Sequence, residues 1–200
     1  MTPSDVAAPA CPRPYITAVS GLPRSGTSMM MRMLAAGGMP VLTDQVRVAD
    51  EDNPQGYFEL ERVKRLKEDQ AWLPEAMGKA VKIISFLLPE LPASFPYKVI
   101  FLRRAMPELL ASQRQMMLRR GEPADATGDA RLAVAYEKHL ANVAAWMQAR
   151  AGFDVIYVEH RRVITEPLAV AEELNAFLGG GLDQEKMAAA VEPRLYRQRS

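Results

Sequence analysis

Residues 19–28 read VSGLPRSGTS. Two glycines, Gly21 and Gly26, bracket Leu22, Pro23, Arg24 and Ser25 with the G-x-x-x-x-G spacing of a phosphate loop. A glycine-rich turn that enters a helix aims several backbone N–H groups at one point, and the helix dipole adds partial positive charge there. The hydroxyls of Ser25, Thr27 and Ser28 supply further donors. Arg24 adds a guanidinium that can fork onto phosphate or sulfate oxygens. The lysine that an ATP- or GTP-hydrolysing loop carries after its second glycine is missing, and Thr27 stands in its place. Pro23, Arg24, Ser25, Gly26, Thr27 and Ser28 are therefore expected to hold an anion, in chemistry other than that of an ordinary ATPase.

Such a loop works only between a strand and a helix. Residues 15–20 (YITAVS) carry β-branched residues up to a glycine and predict a buried strand. Residues 27–36 (TSMMMRMLAA) predict a helix that stops at Gly37 and Gly38. Its methionines, Met29, Met30, Met31 and Met33, read as core packing rather than as an acceptor pocket. Residues 59–72 carry Leu60, Val63 and Leu66 at helical spacing and predict an amphipathic helix. Residues 80–85 (AVKIIS), 97–103 (YKVIFLR) and 153–159 (FDVIYVE) predict strands. Pro107 opens a helix that runs to residue 120, and residues 129–151 predict a long alanine-rich one. Residues 166–178 predict a last helix, with Pro167 in its first turn and Gly179, Gly180 and Gly181 behind it. Strands alternating with helices predict an α/β domain, a three-layer P-loop NTPase-like fold with a central parallel sheet flanked by helices. Residues 1–14 are expected to form a flexible tail and residues 15–200 the domain.

A second basic feature follows the third strand. Arg104 lies at its C-terminal end, where open α/β sheets bind ligands, and Ser112 follows within the first turns of the next helix. An arginine and a serine so placed can converge on one phosphate. Two anion grips suggest a nucleotide phosphorylated at two distant positions. No apolar strand clearly ends in the aspartate that would hold Mg²⁺ for an NTPase, although Glu159 closes the fourth strand. No metal is expected.

The stretch GLPRSGTS resembles the 5′-phosphosulfate loop of the sulfotransferases, P-[KR]-S-G-T-[ST], with Arg24 at the basic position. Residues 104–112 resemble that family's 3′-phosphate motif R-x-x-x-D-x-x-x-S, with Glu108 at the acidic position and the proline displaced by one place. Residues 157–179 (YVEHRRVITEPLAVAEELNAFLG) resemble the strand–helix segment around YEDL and FLG. The resemblance implies 3′-phosphoadenosine 5′-phosphosulfate (PAPS) as donor, 3′,5′-ADP (PAP) as product, and in-line attack by a hydroxyl or amine on sulfur. It implies a role for Arg24 and Lys82 at the leaving phosphate.

The base is less plain. Some sulfotransferases carry it as the histidine of a K-x-H segment. Lys82 matches the lysine, but Ile84 stands at the histidine position. His139 reads as an exposed or satisfied helical residue and His160 as structural. A carboxylate is the other option. The segment NPQGYFE resembles an NPxGYxE stretch of bacterial members and would turn at Asn53, Pro54 and Gly56 to present Glu59 at a helix start. Glu59 is the first candidate base and Asp52 the second.

Composition closes off other classes. The chain has 200 residues, 48% hydrophobic and 24% charged, which fits one soluble domain with its own core. A net charge of +1 gives no global case for nucleic acid or an anionic membrane as partner. The single cysteine, Cys11, cannot form an internal disulfide and fits a reducing compartment. The first residues lack a secretory signal pattern and the apolar runs are too short to span a bilayer, so a cytoplasmic protein acting on a small-molecule acceptor is expected. The rivals are an ATP/Mg²⁺-dependent small-molecule kinase and a nucleotide-binding relative without turnover. Acceptor and oligomeric state are not legible.

Overall fold

In the computed structural model, the described residues are 14–44, 58–122 and 126–192. Residues 1–13 of the expected tail, with Cys11, and Asp52 with its turn lie outside them.

Among the described residues four parallel strands form the sheet: β1 (Ile16–Gly21), β2 (Ala80–Lys82), β3 (Tyr97–Arg103) and β4 (Phe153–Glu159), in the order β2-β1-β3-β4. Every residue of β1 is buried, as befits a central strand covered on both faces. Its side chains alternate: Val19 joins the core on one face, and Ile16 and Ala18 join the core on the other.

Among the described residues six α-helices cover the sheet: α1 (Thr27–Ala36), α2 (Met106–Arg119), α3 (Ala126–Gln148), α4 (His160–Thr165), α5 (Pro167–Phe177) and α6 (Gln184–Ala189). Met30, Met31, Met33 and Leu34 of α1 pack with Val170, Leu174 and Met187 of α5 and α6 on one face. Met29 is partly buried against the same cluster, so the methionine run is core, as read. Val143 and Met147 of α3 pack with Val99 and Phe101 on the other face, together with Trp72 and Leu73. Burying each such side chain contributes about 1.5–3 kcal/mol. Among the described residues no helix is long and apolar enough to cross a membrane.

Three expectations are corrected. Residues 59–72 are not one helix; a 3₁₀ turn at Glu61–Arg65 gives way to turns, and a second 3₁₀ segment spans Leu73–Ala76. Asp69 is the reason. Its carboxylate accepts from the Ala71 N–H at 3.0 Å and from Arg62, and its carbonyl takes the Trp72 indole N–H at 3.1 Å. Side-chain bonds to nearby backbone offer the chain an alternative to a helix. Strand β2 is only three residues long, because at Ser85 the chain turns into a 3₁₀ segment, Ser85–Glu90, that packs on α3. Helices α4 and α6 were not anticipated. Pro167 limits α4 by disfavouring a helical Glu166, and Asp183 caps α6 by accepting from the Lys186 N–H.

The chain leaves β1 for β2 on one side and returns to β3 on the other. The topological switch point therefore falls between β1 and β3, where such sheets bind ligands.

Candidate functional site

The glycine-rich loop sits at that switch point, between β1 and α1, as the strand–loop–helix reading requires. Gly21 has φ +148°, and a Cβ there would stand 2.4 Å from Ser25 Oγ and 2.7 Å from the Leu102 carbonyl of β3. Only glycine lets the loop close this tightly on the neighbouring strand. Arg24 takes a left-handed conformation, φ +68°. Gly26 caps α1 at φ +101°, and no side chain caps the helix. Gly26 thus supplies no side-chain acceptor to the N–H groups of the first turn of α1. Ser25 is 1% exposed and its Oγ has no hydrogen-bond partner. A buried hydroxyl left unpaired costs free energy that a ligand can recover. Thr27 is buried and Ser28 half-buried beside it.

The two grips that sequence separates are joined in space. Arg24 donates its Nε–H to Ser112 Oγ at 3.1 Å. Arg104 donates Nη1–H to the Arg24 carbonyl at 3.0 Å and Nε–H to Glu108 Oε2 at 3.3 Å. Arg104 and Glu108 form a buried ion pair, so the acidic position of the second motif serves to hold its arginine.

On the other flank of the loop, Lys82 at the end of β2 donates to Ser28 Oγ at 3.3 Å and to Glu59 Oε1 at 3.2 Å. Glu59 does not begin a regular helix. It is fixed by its own backbone, whose carbonyl accepts from Thr43 Oγ1 at 2.8 Å and from the Asp44 N–H at 3.2 Å. The three residues expected to do chemistry, Arg24, Glu59 and Lys82, thus surround one loop.

His160, read from sequence as structural, lies against the loop. It is 7% exposed, and a Cβ on Gly26 would stand 2.6 Å from its Cδ2. Burial, helped by the Arg104 charge and opposed by Glu108, lowers its pKa to about 4, so the imidazole is neutral near pH 7. Its place at the end of β4, one strand beyond β3, was the only signal. His139 is satisfied, as expected: its Nε2 lies 2.9 Å from Ser85 Oγ and its ring stacks on Phe86 at 3.9 Å.

Beside the loop a cavity of about 610 Å³ opens over the ends of β3 and β4. Leu22, Leu102, Leu109 and Leu140 give it an apolar floor, and Ser25, Arg104 and Glu108 face it from the loop side. A volume of a few hundred Å³ with a few convergent polar groups suits a nucleotide-sized ligand. The unpaired Ser25 hydroxyl and the two glycines with no room for a Cβ fit an anion held close to backbone.

No protein-family model matches the chain, and no curated protein is similar to it at a significant level. Solved structures do resemble it. A sulfotransferase domain from the Synechococcus PCC 7002 olefin synthase has TM-score 0.57 and 14% identity, covering 96% of this chain and 90% of that one. Sulfotransferase STF1 from Mycobacterium tuberculosis H37Rv has TM-score 0.54 and 16% identity, covering 88% of this chain and 70% of that one. Sulfotransferase STF9 from Mycobacterium avium has TM-score 0.53 and 14% identity, covering 90% and 67%. The chain has the fold of these sulfotransferases.

Proposed function

We propose that this protein is a sulfotransferase that moves a sulfuryl group from PAPS to a hydroxyl or amine of a small acceptor. The observation that carries this reading is the loop itself. An arginine, an unpaired buried Ser25 hydroxyl and an uncapped helix N-terminus converge at the switch point, with Thr27 where an NTPase has lysine.

In this reading Pro23, Arg24, Ser25, Gly26, Thr27 and Ser28 hold the 5′-phosphosulfate. Arg104 and Ser112 face the 3′-phosphate, and the apolar cavity takes the nucleoside. The donor supplies the activated sulfuryl group and leaves as 3′,5′-ADP. Arg24 and the α1 N-terminus stabilise the negative charge that develops on the leaving phosphate oxygen, by preorganised electrostatics. Lys82 adds a third positive contact through Ser28. Glu59, held by Lys82, accepts the acceptor's proton.

The test follows 3′,5′-ADP release from PAPS in the presence of a panel of small alcohols, phenols and amines. Release that depends on an acceptor supports transfer. Turnover of ATP with Mg²⁺, and none of PAPS, would replace the reading with a kinase. Tight donor binding with no release across the panel would make the protein a binding relative.

A further inference from the structure

Arg32 carries a charge that the donor site does not use. It lies on α1, four residues after Ser28, so the two side chains share one face of the helix. Thr27, Met30, Met31, Met33 and Leu34 are buried, whereas Ser28, Met29 and Arg32 are only partly so. The Arg32 Nε and Nη1 atoms are nevertheless shielded from solvent, and neither has a hydrogen-bond partner among the described residues. Burial lowers the pKa of the group, and Glu192 opposes that shift through its charge. An arginine stays protonated all the same. A buried guanidinium with unanswered N–H groups is costly, and its planar fork matches the two oxygens of a carboxylate.

The charge belongs to the flank of the loop where an acceptor must approach. Ser28 Oγ accepts from Lys82, and Lys82 holds Glu59, the proton acceptor of the proposed reaction. Long helical side chains lean towards the helix N-terminus, which carries the Arg32 fork back towards the turn of Ser28. Lys82 itself offers an acceptor little net charge, because Glu59 balances it at 3.2 Å. We propose that Arg32 recognises a carboxylate on the acceptor, so that the substrate is a hydroxy acid or an amino acid rather than a neutral alcohol or amine. The inference rests on the donor reading above. Glu192 opposes such a ligand electrostatically.

The experiment compares the wild type with Arg32→Met and Arg32→Lys. Each protein is loaded with 3′,5′-ADP and titrated calorimetrically with glycolate, lactate and salicylate, each set against its methyl ester. The wild type should bind at least one acid about tenfold or more tightly than its ester, as one charge-assisted contact allows. Arg32→Met should lose that preference and keep its affinity for 3′,5′-ADP. Arg32→Lys, with a point charge in place of the fork, should fall between them. The thermal unfolding midpoint of the free Arg32→Met protein should equal or exceed that of the wild type, because an unanswered buried charge has been removed. A lower midpoint would mean that Arg32 serves the fold, and would overturn the proposal. So would a wild type that prefers no acid over its ester, or a preference that survives in Arg32→Met; both leave the donor reading intact. Failure of the wild type to bind 3′,5′-ADP would overturn the donor reading, and the acceptor contact with it.

Discussion

The Arg24 guanidinium and the Ser112 hydroxyl, 88 residues apart in sequence, meet at 3.1 Å. One belongs to the loop after β1 and the other to the helix after β3. Their bond, with the Arg104 bond to the Arg24 carbonyl, joins the two sequence motifs into one preorganised cluster. Preorganisation matters because donors already in place cost no reordering when charge develops.

Arg24→Ala should therefore weaken 3′,5′-ADP binding by about 2 kcal/mol, the scale of a charge-assisted contact. Ser112→Ala should cost less, and the double variant should cost less than the sum of the two. A calorimetric double-mutant cycle checks this. Strict additivity would mean that the two residues act independently.

Gly26→Ala should destabilise the protein by on the order of 2 kcal/mol or more, from a strained left-handed backbone and a clash with the buried His160 ring. Adding His160→Ala should relieve the clash and leave the backbone strain. Denaturant unfolding of the single and double variants measures both parts. If the second substitution restores nothing, the steric contact is not the cause.

His160 gives a pH dependence. Its pKa is lowered from 6.5 to about 4 by burial first and then by Arg104, with Glu108 acting in the opposite sense. Between those two values the unfolded chain binds a proton that the folded protein does not. This group's contribution is therefore complete above pH 6.5 and is lost as pH falls towards 4. The loss is on the order of 3 kcal/mol. The slope of stability against pH in this window should flatten in His160→Gln. An unchanged slope would contradict the assignment.

The loop was legible because its glycines, its hydroxyls and the flanking strand and helix are all local signals. Helix α1 and strands β3 and β4 start and stop where their composition predicts, at the glycines and at the shift from period 2 to helical spacing. The apolar spacing of Leu60, Val63 and Leu66 suggested a helix, yet the Asp69 carboxylate competes for the backbone and apolar spacing does not record it. The short helix α6 did carry a sign, Asp183 ahead of Lys186, but its six residues were easily passed over. The contacts of Arg24 with Ser112 and of Gly26 with His160 depend on strand order, which a single sequence does not state. The same holds for Lys82, whose bridge between Ser28 and Glu59 follows from β2 lying beside β1.

Glu59→Gln keeps the size of the side chain and its hydrogen-bonding shape. It should leave 3′,5′-ADP binding nearly unchanged and lower transfer by about a hundredfold, the lower range for loss of a general base. Lys82→Ala should reduce both binding and transfer, since Lys82 touches Ser28 of the loop as well as Glu59. Full transfer activity in Glu59→Gln would remove Glu59 as the base.

The most direct test of the central claim is calorimetric titration of the wild-type protein with 3′,5′-ADP, set against ATP with Mg²⁺. A sulfotransferase donor site predicts tight binding of the bisphosphate, loss of that binding in Arg24→Ala, and little response to ATP–Mg²⁺. Preference for ATP–Mg²⁺, or no binding of the bisphosphate, would contradict it.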